Sequence, residues 1–392
     1  MRILIVLPNL ATGGAEIFAL RLAKELSAKN ETYVYDLAYP LTGIDISLKN
    51  RELLEGVQLI KFSPPFINFF NRLWVKSSLI SKLLYVIFLF FRGKQLEKIV
   101  TEKKIEIVNT HLIAADTLVS HFLKKVVHII TLHGSYEGIN HKHIRRRIKT
   151  LSKANGIIYT ADKNLIFMDK FSSEIKNSAP IVKIYNGMKL TKLSDKNYRT
   201  EWKIPEDAFV FIMVARPTET KGWREAIRAF ELLVCKNAYF VLVGDGPYIE
   251  ELKTEVKSKN IIFHGYGSNP IDFLLYANVG LLPTFYPPES LPNSVSEYLT
   301  CGLPVISTNM GDIRKMIAYE EKQAGFIIPF DSSGRASVTD LNNAMNIYLQ
   351  DAELYQSHKK LSLLAAQKFE MSNCVNNYLS FYGSVLKKNV GR

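Results

Sequence analysis

The sequence predicts an α/β protein built as two Rossmann-like domains whose parallel sheets face a central cleft. Three observations predict it. Short β-branched runs alternate with helical patterns from the first residues. The rhythm stops in a polar stretch, Lys189–Glu201, and then restarts. The length, 392 residues, is too much for one ordinary core and suits two domains of about 100–200 residues each.

The elements follow in order. RILIVL (2–7) reads as a strand, followed by a helix from near Gly14 in which Ile17, Leu20, Ala23 and Leu26 recur at helical spacing. Then come IEIVNT (105–110), a helix over 114–125, VHIITLH (127–133), NGIIYT (155–160) and IVKIYNG (181–187). After the linker the pattern resumes with AFVFIMV (208–214), a helix over Lys221–Val234, YFVLVG (239–244), NIIFHG (260–265), VGLLPT (279–284) and LPVIST (303–308). The domains are therefore expected at 1–190 and 191–374, with a C-terminal helix at 375–392 packing back on the first.

Hydrophobic residues make up 47% and charged residues 22% of the chain, which excludes wholesale disorder and a polytopic membrane protein. The net charge of +13 lies entirely in residues 1–190, which hold 28 Lys/Arg and 15 Asp/Glu, whereas 191–392 hold 22 of each. One basic half implies an anionic partner on one side: nucleic acid, an acidic membrane or a charged substrate. Cys235, Cys301 and Cys374 are odd in number and lack metal-ligand spacing, so no disulfide framework or zinc site is expected. The run Ile3–Leu7 has no cleavage site after it, and Leu83–Phe91 is nine residues where about 20 are needed to span a bilayer. A cytoplasmic chain is expected.

Ligands of such sheets bind at the carboxyl ends of the strands, so the strand-to-helix junctions are where chemistry is sought. Gly13-Gly14-Ala15-Glu16 follows the first strand; its glycines admit close backbone approach, and a helix N-terminus attracts an anion. His111 and His133 end successive strands, where imidazole exchanges hydrogen bonds with sugar hydroxyls. Arg216 and Lys221, five residues apart on the loop after strand 208–214, suit a diphosphate. Glu289 and Glu297 flank the start of a helix expected at 293–301, whose backbone N–H groups can meet a phosphate while the carboxylates accept from sugar hydroxyls. Each reading competes with a plainer one: a tight turn, structural histidines, a solvated basic loop, surface glutamates. LVGDGP (242–247) lacks the full dinucleotide fingerprint, so no such cofactor is inferred. No Asp-x-Asp occurs, so the cations at 216 and 221 would replace a metal ion.

Taken in order, the Gly-Gly-x-Glu loop, His111, Asn186-Gly187, the Arg…Lys-Gly loop at 216–222, Gly244-Asp245-Gly246-Pro247, and the pair Glu289/Glu297 before Cys301-Gly-Leu-Pro-Val resemble the retaining glycosyltransferases of family 4, which implies the two-domain GT-B fold. The stretch from Ser290 to Thr308 looks most like bacterial enzymes that build surface polysaccharides. The resemblance implies that Arg216 and Lys221 neutralise the donor diphosphate and that Glu297 holds the ribose hydroxyls. It implies that Glu289, with backbone N–H groups around Ser290, Leu291, Pro292, Asn293 and Ser294, holds the transferred sugar. Gly13 and Gly14 would approach the phosphate and acceptor, and His111 would lie beside the reacting sugar, with His133 on the acceptor side. The implied donor is a nucleotide-sugar, expected to be a UDP-sugar, with no metal and no further cofactor. Ser290-Leu291-Pro292, Ala215 and Gly311-Asp312-Ile313-Arg314 depart from the family's usual residues.

Residues 61–104 carry nine Lys/Arg against Glu97 and Glu102, interleaved with nine aromatic residues, and 141–153 adds six positive charges. Continuous apolarity over 79–91 disfavours a nucleic-acid groove, and the resemblance then favours an anionic membrane surface and implies a lipid-linked or glycan acceptor at the inner face of the plasma membrane. The plainer reading is a buried helix with a solvated charged face. A sugar-nucleotide epimerase of the same fold and a non-catalytic partner subunit are the competing functions.

Overall fold

A computed structural model describes residues 1–10, 13–37, 51–60, 78–134, 139–190, 194–267 and 269–390. The chain forms two units, Met1–Gly187 with Met371–Arg392, and Met188–Glu370.

The first unit is built on strands β1 (Arg2–Leu7), β2 (Glu31–Asp36), β3 (Gln58–Ile60), β4 (Ile107–His111), β5 (Val127–Leu132), β6 (Gly156–Tyr159) and β7 (Ile181–Lys183), ordered β3-β2-β1-β4-β5-β6-β7. Every pairing is parallel. Alternation along β1 divides the core. Ile3, Ile5 and Leu7 pack with Phe18, Leu22 and Leu26 of helix Gly14–Ser27 and with Tyr378, Tyr382 and Val385 of helix Met371–Val390. Leu4 and Val6 pack with Leu96 and Leu118 of helices Ser78–Glu102 and Ile113–Phe122. Burial on both faces is why these strands read as continuous apolar runs. The C-terminal helix begins at Met371, ahead of the expected 375. It passes so close to the end of the first unit's main segment that a Cβ on Gly187 would stand 2.8 Å from the Cβ of Cys374 and 2.9 Å from the Cα of Met371.

The second unit holds β8 (Phe209–Val214), β9 (Ala238–Val243), β10 (Ile261–Gly265), β11 (Val279–Leu282), β12 (Val305–Thr308), a hairpin of β13 (Ala318–Tyr319) and β14 (Lys322–Gln323), and β15 (Gly325–Ile328). Its six-stranded sheet runs β10-β9-β8-β11-β12-β15, the doubly wound order, with parallel pairings throughout. Both sheets are thus Rossmann-like, as the sequence predicts. Strands β2, β3 and β15 were not foreseen: ETYVYD has only four uncharged residues between Glu31 and Asp36, and the other two are three and four residues long.

Two sequence expectations change. Arg92 is fully buried, its guanidinium 4.4 Å from the centroid of the Tyr35 ring and donating to Gln95 Oε1 at 3.2 Å. Arg147 is also internal and donates to Asp116 at 2.5 Å. Neither charge belongs to a solvent-facing basic patch. Residues 61–77 of the basic, aromatic segment lie outside the described residues.

Candidate functional site

In the second unit the loops after β8 and β11 are locked together. Gly222 closes a short 3₁₀ turn, Glu219–Lys221, and opens helix Trp223–Glu231 with φ of +81°, a conformation that favours glycine. A Cβ there would meet the carbonyl oxygen of Pro283 at 2.1 Å. Phe285 N–H donates to the carbonyl of Thr220 at 2.8 Å. This close approach brings Lys221 to Glu289, to which its ammonium donates. The Thr284 hydroxyl stands 3.3 Å from the same carboxylate, and the Lys221 Nζ lies 5.3 Å from the centroid of the Tyr286 ring. On the other side Gly311, at φ +55°, lies against the backbone of Glu289 and Ser290, and Asp312 N–H donates to Ser290 O at 2.8 Å.

Helix Asn293–Thr300 follows at once. Pro292 is its N-cap residue and no side chain caps it. Leu291, Asn293 and Ser294 are half-buried, while Ser290, Pro292, Glu289 and Glu297 are buried. Tyr298 ties the helix to the sheet, donating to Leu281 O at 3.1 Å and accepting from Val214 N–H at 2.8 Å. Burial, helped by the Glu297 carboxylate, pushes the Cys301 thiol up to about 12, so this cysteine stays protonated. Arg216 behaves differently from Lys221. It is exposed, and its guanidinium makes no hydrogen bond or ion pair among the described residues.

Sequence reasoning missed Arg335. It reaches the same loop from a turn organised by Asp331, donating to Glu225 at 2.9 Å and to Glu219, and lies 5.2 Å from the centroid of the Phe285 ring. Its partners lie 110 and 116 residues away in sequence, so no local spacing announces it.

In the first unit the strand ends hold Gly13, Gly14, His111 and His133. Gly13 is the N-cap residue of helix Gly14–Ser27. The Glu16 carboxylate folds back over it, so that a Cβ would stand 2.2 Å from Oε2. His111 does not present itself to a ligand as expected. It is fully buried, with Nε2 3.1 Å from Asn109 Oδ1 and Nδ1 2.8 Å from His133 Nε2. The two rings stack with centroids 5.0 Å apart, and Phe18 lies edge-on to His133. His133 is the partly exposed member. Desolvation lowers both, His111 well below the usual histidine range with help from His133, and His133 to about 3. Both rings are neutral at physiological pH. On the opposite face of the sheet a second buried network joins Arg147, Asp116, Thr110 and His128. Thr110 donates to Asp116 at 2.6 Å and stands 2.9 Å from His128 Nε2. Among the described residues no cluster of three His, Cys, Asp or Glu side chains forms a metal site.

Residues 194–361 match the family model for glycosyl transferases group 1. An uncharacterized glycosyltransferase of Methanocaldococcus jannaschii is 34% identical over 185 residues, 44% of each chain. The N-acetyl-alpha-D-glucosaminyl L-malate synthase of Bacillus anthracis is 21% identical over 75% of this chain and 79% of its own. The crystal structure of Anabaena HepE in complex with UDP and glucose superposes with a TM-score of 0.74 at 16% identity, covering 98% of this chain and all of that one. The matched region therefore spans less than half of the archaeal relative. The family model matches part of the second unit only, less than half of the chain, and the likeness to HepE shows a GT-B fold.

Proposed function

We propose that the protein is a retaining, metal-independent glycosyltransferase that moves a sugar from a nucleotide-diphosphate donor, a UDP-sugar, to a lipid-linked or glycan acceptor in bacterial surface-polysaccharide synthesis. The observation that carries this reading is the Lys221–Glu289 pair, with exposed Arg216 on the same loop and a helix N-terminus beginning at Asn293. Two cations and the positive end of a helix suit a diphosphate. A carboxylate and a threonine hydroxyl beside them suit the hydroxyls of the transferred sugar.

In this mechanism Arg216 and Lys221 offset the charge that grows on the departing diphosphate. The acceptor hydroxyl attacks the anomeric carbon on the face the phosphate is leaving, and the leaving phosphate oxygen takes the hydroxyl proton. The glycosidic C–O bond forms as the old C–O bond to phosphate breaks, and no protein nucleophile is needed. Glu297 holds the ribose. The first unit, through Gly13, Gly14 and His133, presents the acceptor.

The lipid side rests on the helical layer over Leu4, Val6 and Ile130. Helices Ser78–Glu102, Ile113–Phe122 and His141–Leu151 lie side by side there. Val86, Phe90 and Phe91 are 63%, 52% and 54% exposed. Lys94, Lys98, Lys124, Lys125, Arg145, Arg146 and Lys149 are exposed on the same layer or its adjoining loop. Apolar side chains among cations suit peripheral binding at an anionic inner leaflet. No helix among the described residues is long and apolar enough to cross a membrane.

Thermal shift with UDP-, GDP- and ADP-sugars tests the donor. Product analysis by NMR then tests transfer and anomeric outcome. UDP-sugars are expected to raise Tm and to yield a product of unchanged anomeric configuration. Interconversion of free UDP-sugars without an acceptor would replace the reading by an epimerase.

A further inference from the structure

The buried histidine pair is joined to the C-terminal helix by a chain of hydrogen bonds whose proton positions can be worked out. Asn109 Nδ2 lies 3.0 Å from the carbonyl oxygen of Ile129 and 2.9 Å from Thr131 Oγ1. A carbonyl only accepts, so this end of the amide is the nitrogen and the other end is the oxygen. That oxygen receives the Tyr382 hydroxyl at 2.8 Å and faces His111 Nε2 at 3.1 Å. An amide oxygen cannot donate, so His111 carries its hydrogen on Nε2 and its lone pair on Nδ1. His133 Nε2, 2.8 Å from that lone pair, must in turn carry a hydrogen.

We propose that Tyr382, Asn109 and His111 are positioning residues that hold His133 as its Nε2–H tautomer, with the lone pair on Nδ1. The consequence is chemical selectivity. On its Nδ1 side His133 accepts hydrogen bonds, so it suits a hydroxyl of a sugar and rejects a phosphate or carboxylate oxygen. The neutrality imposed by burial acts in the same direction. His111 thereby changes from an expected sugar contact to the group that orients one. The last link rests on the glycosyltransferase reading; the tautomer chain does not.

Two-bond ¹H–¹⁵N correlation spectra of protein labelled at histidine report each ring's tautomer. His111 and His133 are expected as pure Nε2–H forms between pH 8 and 5, assigned by His111→Phe and His133→Phe. In Asn109→Leu both rings should become tautomer mixtures, with kcat lowered about tenfold and the Kd for UDP unchanged. Tyr382→Phe, which keeps the core shape, should give a smaller change of the same sign and carries the test if Asn109→Leu does not fold. An Nδ1–H form of His133 in the unsubstituted protein, or unchanged spectra in both variants, overturns the proposal. Correct tautomers in a protein that transfers no sugar would instead defeat the functional reading and leave the relay standing.

Discussion

Lys221 and Glu289, 68 residues apart in sequence, form an ion pair in which both side chains are largely removed from solvent. Breaking such a pair from one side leaves an uncompensated charge. Lys221→Ala and Glu289→Ala should each lower stability by about 3 kcal/mol in urea titration, and the double variant should recover part of it. Lys221→Ala should also lower the transfer rate by about 10²–10³, because its charge is needed most as the phosphate leaves. Full activity in Glu289→Ala would refute the site assignment.

Gly222 and Gly265 share almost the same backbone angle, φ of +81° and +86°, in different surroundings. Nothing lies within 4 Å of a Cβ on Gly265, whereas one on Gly222 would strike Pro283 O. Gly265→Ala should cost about 1 kcal/mol, the strain of the left-handed conformation alone. Gly222→Ala should cost more than twice that and lower kcat, since it pushes Lys221 away from Glu289. Equal Tm losses in the two variants would show that the Pro283 contact is immaterial.

Acid should destabilise the first unit before ordinary carboxylates titrate. His111 and His128 are 0% and 3% exposed; burial lowers both, His128 to about 3 with help from Arg147. Their unfolded values lie near 6.5, so the unfolded chain binds more protons as pH falls through 6.5. Stability is therefore present above pH 6.5 and lost below it, by about 1.4 kcal/mol per pH unit for each histidine. Asp116, whose carboxyl burial raises, opposes this at acid pH. Urea midpoints measured from pH 7.5 to 5 should fall steeply, and His128→Gln should remove about one histidine's share of the slope. A flat profile would contradict neutral burial.

Phe90→Glu with Phe91→Glu places two carboxylates where two exposed rings stand among cations. Flotation with vesicles containing anionic lipid should lose the protein in this variant at low salt, with Tm nearly unchanged. The unsubstituted protein should float and be released by salt. Failure of the unsubstituted protein to float sinks the membrane proposal.

The strands were legible because parallel strands buried on both faces must be apolar throughout, and β1, β8 and β9 fall within a residue of the runs that predicted them. Strand ends then pointed to Arg216, Lys221 and Glu289 by topology alone. The proximity of Lys221 to Glu289 was not legible, since it depends on Gly222 lying against Pro283. Nor was the inward turn of Arg92 and Arg147: a sequence counts a cation without saying that Tyr35 or Asp116 receives it. The burial of His111 was not legible for a related reason. A histidine at a strand end alternates with its neighbours between faces, and only the C-terminal helix, with Tyr382, shows which face is closed.

That helix also sets an order of events in time. Tyr378, Phe381, Tyr382 and Val385 share a core cluster with Ile3, Ile5 and Phe18. On the ribosome, the second unit has all of its residues when synthesis reaches Glu370, while the first unit still lacks its closing helix. The half of the chain made first is the half that finishes folding last, and until then part of its apolar sheet face lacks its cover.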